Sequence, residues 1–98
     1  MSEHVLSITS AAVQPDSAPA VIEAYRRVTS QLPAAVVHTA LVQGDADDWR
    51  IVTLWRSREQ LEEYRRRVGT AAAIKIFRDA GAEPTVAVFD VVHEAATG

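Results

Sequence analysis

Ninety-eight residues, 48% hydrophobic and 23% charged, suit one globular domain with one core and exclude a disordered chain. A net charge of -3 argues against a general nucleic-acid surface, and the absence of cysteine excludes disulfides, thiol nucleophiles, zinc fingers and iron–sulfur ligation. A domain this small hides only about two-thirds of the surface its unfolded chain exposes, so it gains from a partner subunit.

Met1-Ser2-Glu3-His4 lacks a basic region followed by an apolar stretch, and no apolar run approaches the ~18 residues of a membrane span. The expectation is a cytoplasmic protein, one domain over 1–98 with an ordered core at about 5–93, without membrane or nucleic-acid partners.

Val5 to Val13, rich in β-branched and small residues, reads as a first strand that stops at Gln14-Pro15-Asp16. Ser17 is placed to cap a first helix that accepts Pro19 in its first turn. Val21, Tyr25, Val28 and Leu32 recur at helical spacing until Pro33. Ala34 to Val42 is a second strand, and the polar turn Gly44 to Asp48 leads into a third, Trp49 to Arg56. Ser57-Arg58-Glu59-Gln60 is a capping box opening a second helix, along which Leu61, Tyr64 and Val68 share a face. Glu62/Arg66 and Glu63/Arg67 pair at four-residue spacing, and Gly69 ends the helix. Thr70 is placed to cap a shorter helix, Ala71 to Ala80, with Ile74 and Phe77 inward and Gly81 closing it. Thr85 to His93 is the last strand, and the ends, up to about His4 and from about Glu94, read as loose.

The order is βαββαβ with an added short helix. Right-handed crossovers around a central hairpin give an α+β, ferredoxin-like fold, a four-stranded antiparallel sheet with both main helices on one face. The other face should then alternate polar with apolar if it met water. It does not: Ala35, Val37 and Leu41 alternate with Val36, Ala40 and Val42, and Val86, Val88 and Val92 with Ala87, Phe89 and Val91. A second sheet of the same kind is the simplest cover, which predicts a homodimer.

The run from Trp49 to Tyr64, in which Trp55 ends a strand, Ser57 opens a helix, and Glu59 and Leu61 follow, resembles the signature of antibiotic biosynthesis monooxygenase-like domains, members of the dimeric α+β barrel superfamily. The resemblance implies a homodimer whose sheets pack into a shared barrel, with a pocket in each subunit between sheet and helices. It also implies oxidation of quinol- or anthrone-type aromatics without cofactor, although other relatives degrade haem, isomerise or have no known reaction. This chain contains no Asn, on which the haem-degrading and several quinone-forming relatives rely, and it carries Tyr64 nine residues after Trp55, where many relatives carry His.

Oxygenation without a cofactor needs an electron-rich substrate anion, a dry pocket and donors that stabilise the developing enolate. Trp55, with an indole N–H and a stacking face, and Tyr64, with a phenol, are the catalytic candidates; core packing is the competing reading of each. Tyr25, His38, Arg50 and Arg56 are the substrate-binding candidates: a second phenol, a base with an ordinary pKa of ~6.5, and two positive charges. Core packing is the competing reading of Tyr25, and a satisfied interior or interface histidine that of His38. Arg65-Arg66-Arg67 reads as a solvated face neutralised by Glu62 and Glu63. His4, His38 and His93 have no partner at ligand spacing, so no metal is expected. Three classes compete: a cofactor-free monooxygenase on a small aromatic, a non-catalytic dimeric ligand-binding or assembly module, and an RNA-binding domain of the same element order. The last lacks the basic aromatic strand signature.

Overall fold

The computed structural model describes residues 3–97. Strand β1 (Val5–Ala12) leads through a 3-10 turn (Pro15–Ser17) into helix α1 (Ala18–Thr29). A hairpin follows, β2 (Val36–Gln43) and β3 (Asp48–Trp55), then helices α2 (Arg58–Val68) and α3 (Ala72–Asp79) and the last strand β4 (Thr85–Asp90). The sheet order is β2-β3-β1-β4 with every neighbouring pair antiparallel, the expected ferredoxin-like α+β arrangement.

Register fixes which side chains share a face, because successive residues of a strand point to opposite sides. Val5, Ser7, Thr9 and Ala11 of β1 share a face with Trp55, Thr53, Ile51 and Trp49 of β3, opposite which they lie. Val21 of α1, Leu61 of α2 and Ile76 and Phe77 of α3 are buried with members of this set, so all three helices cover this side. The opposite face carries Leu6, Ile8, Val52, Leu54, Ala40 and Val42, with Ala87 and Phe89 from β4. No helix covers it, and Val42 and Phe89 stay 42% and 51% exposed. Val88 lies opposite Ser7 and packs with Val5, Trp55 and Leu61, so it belongs to the helix side.

The element ends depart from expectation for local reasons. Ser17 has helical backbone angles inside the 3-10 turn and makes no side-chain cap, since an N-cap must be extended for its oxygen to reach back. Helix α1 stops at Thr29 rather than Leu32. Thr29 Oγ1 donates to the Tyr25 carbonyl at 2.8 Å and Ser30 Oγ to that of Arg27 at 2.7 Å, which offers these last carbonyls side-chain partners instead of a further turn. Strand β2 starts at Val36, not Ala34, and an irregularity between Val36 and His38 resets its register. Strand β4 ends at Asp90, and the Val91 N–H donates to the His4 carbonyl at 3.0 Å. His4 Nδ1 also lies 2.5 Å from Glu94 Oε1, so the expected looseness does not begin at these residues; Met1, Ser2 and Gly98 lie outside the described residues. Glu62 pairs with Arg65, at 3.3 Å, in place of Arg66.

Two helix signals hold. Gly81 and Gly69 follow α3 and α2 with φ of 83° and 76°, the left-handed region glycine enters without strain. Ser57 is extended and its Oγ accepts the Gln60 N–H at 3.1 Å. Ser57→Ala leaves that N–H to water and should cost about 1 kcal/mol; an unshifted denaturation midpoint would show that the cap contributes nothing.

Candidate functional site

Between sheet and helices lies a mostly apolar cavity, partly open to solvent, offering about 80 Å³ to the centres of water-sized molecules. That is several times what one water needs. Its sheet side is floored by Ser7, Thr9, Thr39, Ile51, Thr53 and Trp55; Tyr25, Leu61, Tyr64 and Ile76 close it from the helices, and among the described residues Arg65 is the one charged side chain in the lining.

Trp55 ends β3 and the extended Ser57 turns the chain straight into α2, so Tyr64, two turns on, returns over the indole. The two rings are 5.0 Å apart between centroids and tilted by 44°, a favourable aromatic arrangement. Trp55 is buried, and its Nε1–H donates to Ser7 Oγ at 2.9 Å. Tyr64 has a different polar role: its hydroxyl oxygen accepts the Ala72 N–H at 3.1 Å. Residue 71 is alanine and caps nothing by its side chain, nor does Thr70, so the phenol takes a free donor of the first turn of α3. The Arg67 guanidinium lies 5.9 Å from the Tyr64 ring centroid, over its face.

At the other end Tyr25 reaches down from α1 and donates to Thr39 Oγ1 at 3.1 Å. Thr39 and Thr53 then share a hydrogen bond at 3.1 Å across β2 and β3. The cavity thus offers phenols, hydroxyls and an indole face, and among the described residues no carboxylate, histidine or lysine lines it. It can bind, orient and donate hydrogen bonds, whereas removing a proton from a ligand falls outside what its side chains do best.

No family model and no curated protein matches the sequence. Solved structures do. A candidate antibiotic biosynthesis monooxygenase from Caulobacter crescentus is similar over 94% of this chain and 92% of its own, with a TM-score of 0.72 at 14% identity. Rv0793 from Mycobacterium tuberculosis matches over 95% and 99% with a TM-score of 0.71 at 20% identity. SnoaB from Streptomyces nogalater, a cofactor-independent oxygenase solved as a point variant, matches over 95% and 97% with a TM-score of 0.69 at 12% identity. The chain has their fold.

Within that antibiotic biosynthesis monooxygenase-like fold, Trp55, Tyr64 and Tyr25 line the cavity together. His38, Arg50 and Arg56 do not. His38 is exposed and in register with Leu54, on the face away from the helices, because the irregularity before it flips the alternation of β2. Arg50, in register with Ser10 and Val42, shares that outer face and grips Asp48 through Nε and Nη2, both at 3.2 Å. That hydrogen bond, and after it the Asp48 charge, raises Arg50 above its ordinary value, so it remains a cation. Arg56 Nε donates to the Ala34 carbonyl at 2.7 Å and braces the segment before β2. Sequence reading passed over Ser7, Thr9, Thr39 and Thr53, and Arg65, read as part of a solvated face, lines the cavity instead. Hydroxyls alternating with Leu6 and Ile8 carry the pattern of a solvent-facing side, and only the register shows that this side is the covered one.

Tyr64→Phe leaves the Ala72 N–H without its partner in a part-buried place. It should lower unfolding free energy by about 1 kcal/mol, read as a shift of the urea midpoint at unchanged slope; no shift would mean that water replaces the phenol at no cost.

Proposed function

We propose that the chain is a cofactor-independent monooxygenase acting on a small aromatic of quinol or anthrone type, held in this cavity, and that it works as a homodimer. The observation that carries the reading is the state of Tyr64. Its oxygen already accepts a backbone N–H and its own hydrogen donates to no described residue, beside the stacking face of Trp55. A flat aromatic laid against Trp55 meets a positioned donor for the oxygen on which enolate charge develops. SnoaB, which shares the fold, is a cofactor-independent oxygenase.

In such a reaction an anthrone methylene gives up both hydrogens; one atom of dioxygen stays as the new carbonyl and the other leaves with the hydrogens as water. The protein's part is to hold the anion, stabilise it by hydrogen bonds and keep bulk water away. Since no carboxylate, histidine or lysine lines the cavity, the substrate ring is one that ionises readily on its own. The same lack of a base supports the second reading, a dimeric module that binds a small aromatic without transforming it.

Oxygen uptake with a panel of anthrones and hydroquinones separates the two. If the enzyme reading holds, an oxidised substrate is found, Tyr64→Phe lowers turnover by about 10- to 100-fold, and the rate rises with pH through the ionisation of the substrate. Equal rates for the folded variant and the unaltered protein remove Tyr64 from the mechanism, whatever the variant's stability, and no oxidised substrate leaves the binding module.

The dimer reading rests on the uncovered apolar face around Leu6, Ile8, Val52, Leu54 and Phe89. Light scattering should give the mass of two chains, and Val52→Asp, which sets a charge in the middle of that face, should give one. A single-chain mass for the unaltered protein overturns this reading.

A further inference from the structure

The covered side of a sheet is where an apolar surface belongs, yet the middle of this one is hydroxylic. Thr39, Thr53 and Ser7 stand in one row across β2, β3 and β1, and Thr9 lies one step further along β1. Ser7, Thr9 and Thr53 are only 8%, 4% and 8% exposed, and all four line the cavity.

Counting hydrogens shows what this floor offers. Tyr25, Thr39 and Thr53 carry three hydroxyl hydrogens and share two bonds, so one hydrogen is uncommitted. Ser7 accepts from Trp55 and keeps its own. Thr9 lies between Ile51 and Val86 on its neighbouring strands, and its hydroxyl bonds to none of the described residues. Its oxygen keeps access to the cavity, where only water or a ligand can pair with it, and an apolar residue of the same shape would offer no such bond.

We propose that these hydroxyls, with Thr9 foremost, determine specificity: they donate to the oxygens along one edge of a planar aromatic and select it over the same ring system lacking them. The proposal rests on the aromatic-binding reading of the cavity and names its ligand class, a fused aromatic with two or more carbonyl or phenolic oxygens on one edge. The floor has hydrogens to give and the lining holds no carboxylate to receive them, so the ligand supplies lone pairs. Sites built around such bonds discriminate strongly, because a ligand without the oxygen leaves buried groups unpaired.

The test is fluorescence titration with 1,8-dihydroxyanthraquinone and with anthraquinone, on the unaltered protein and on Thr9→Val, which keeps the shape and the β-branch. The unaltered protein should prefer the dihydroxy compound by about tenfold or more, a single well-placed hydrogen bond's worth. Thr9→Val should lose most of that preference while melting no lower, and Thr9→Ser should retain it. A Thr9→Val protein that keeps the full preference, or melts lower with the preference intact, overturns the proposal and makes Thr9 structural. Equal binding of both probes by the unaltered protein overturns it while leaving an aromatic-binding cavity; binding of neither overturns both.

Discussion

The tilted contact of Tyr64 with Trp55 ties α2, α3 and the sheet together on the helix side. Trp55 is fixed from below by its hydrogen bond to Ser7, and Tyr64 holds the first turn of α3 by accepting the Ala72 N–H. One contact therefore sets the distance of α2 from β3 and, through a backbone bond, the start of α3. Because α3 carries Ile76 and Phe77 into the main cluster with Val21, Ile51 and Trp49, the far end of the core depends on the same pair. The corner that makes this possible is short: an extended Ser57 caps α2 directly after β3.

The hydroxyl row explains why the core is in two pieces. Val5, Trp55 and Leu61 form one cluster, Ala11, Val13, Trp49 and Ile51 belong to another, and between them on β1 and β3 come Ser7, Thr53 and Thr9. Apolar side chains there would close the gap and merge the clusters. Threonine and serine, shorter and bearing a polar atom, leave it open, so the cavity is written into the strands rather than left over from imperfect helix packing.

Much of the fold was legible because its signals are local. The Ser57 cap, the glycines after both later helices and the turn between β2 and β3 each follow from one or two residues. The site was legible only in part. Tyr25 and Tyr64 stood out as polar-tipped rings on inward helix positions, and Trp55 as the aromatic that ends a strand. His38, Arg50 and Arg56 stood out only by type, and an irregularity of one residue in β2 together with the phase of β3 turns the first two to the far face. The phase of a strand is set by what covers it, which no single strand's residues state. Thr9 and Ser7 illustrate the converse, since hydroxyls favour an exposed side and here Leu6 and Ile8 occupy it. The caps at Ser17 and Thr70 failed for two local reasons: Ser17 has a helical backbone where a cap needs an extended one, and the N-cap position of α3 falls one residue later, on Ala71.

These two surprises have one physical root. A small domain buries a limited share of its surface and is marginally stable, so a core interrupted by hydroxyls and a cavity draws down a stability that is already slender. The sheet's other side carries unspent apolar area in Leu6, Ile8, Val52, Leu54 and Phe89. Covering it contributes roughly 25 cal/mol for every Å² removed from water, enough over a few hundred Å² to offset the burial that a hydroxylic floor and a cavity forgo. Apolar residues displaced from the floor of the site and apolar residues gathered on the opposite face are then two halves of one arrangement. Polarity sits where a ligand can use it, and the stabilising burial is shifted to a face that a second sheet can cover.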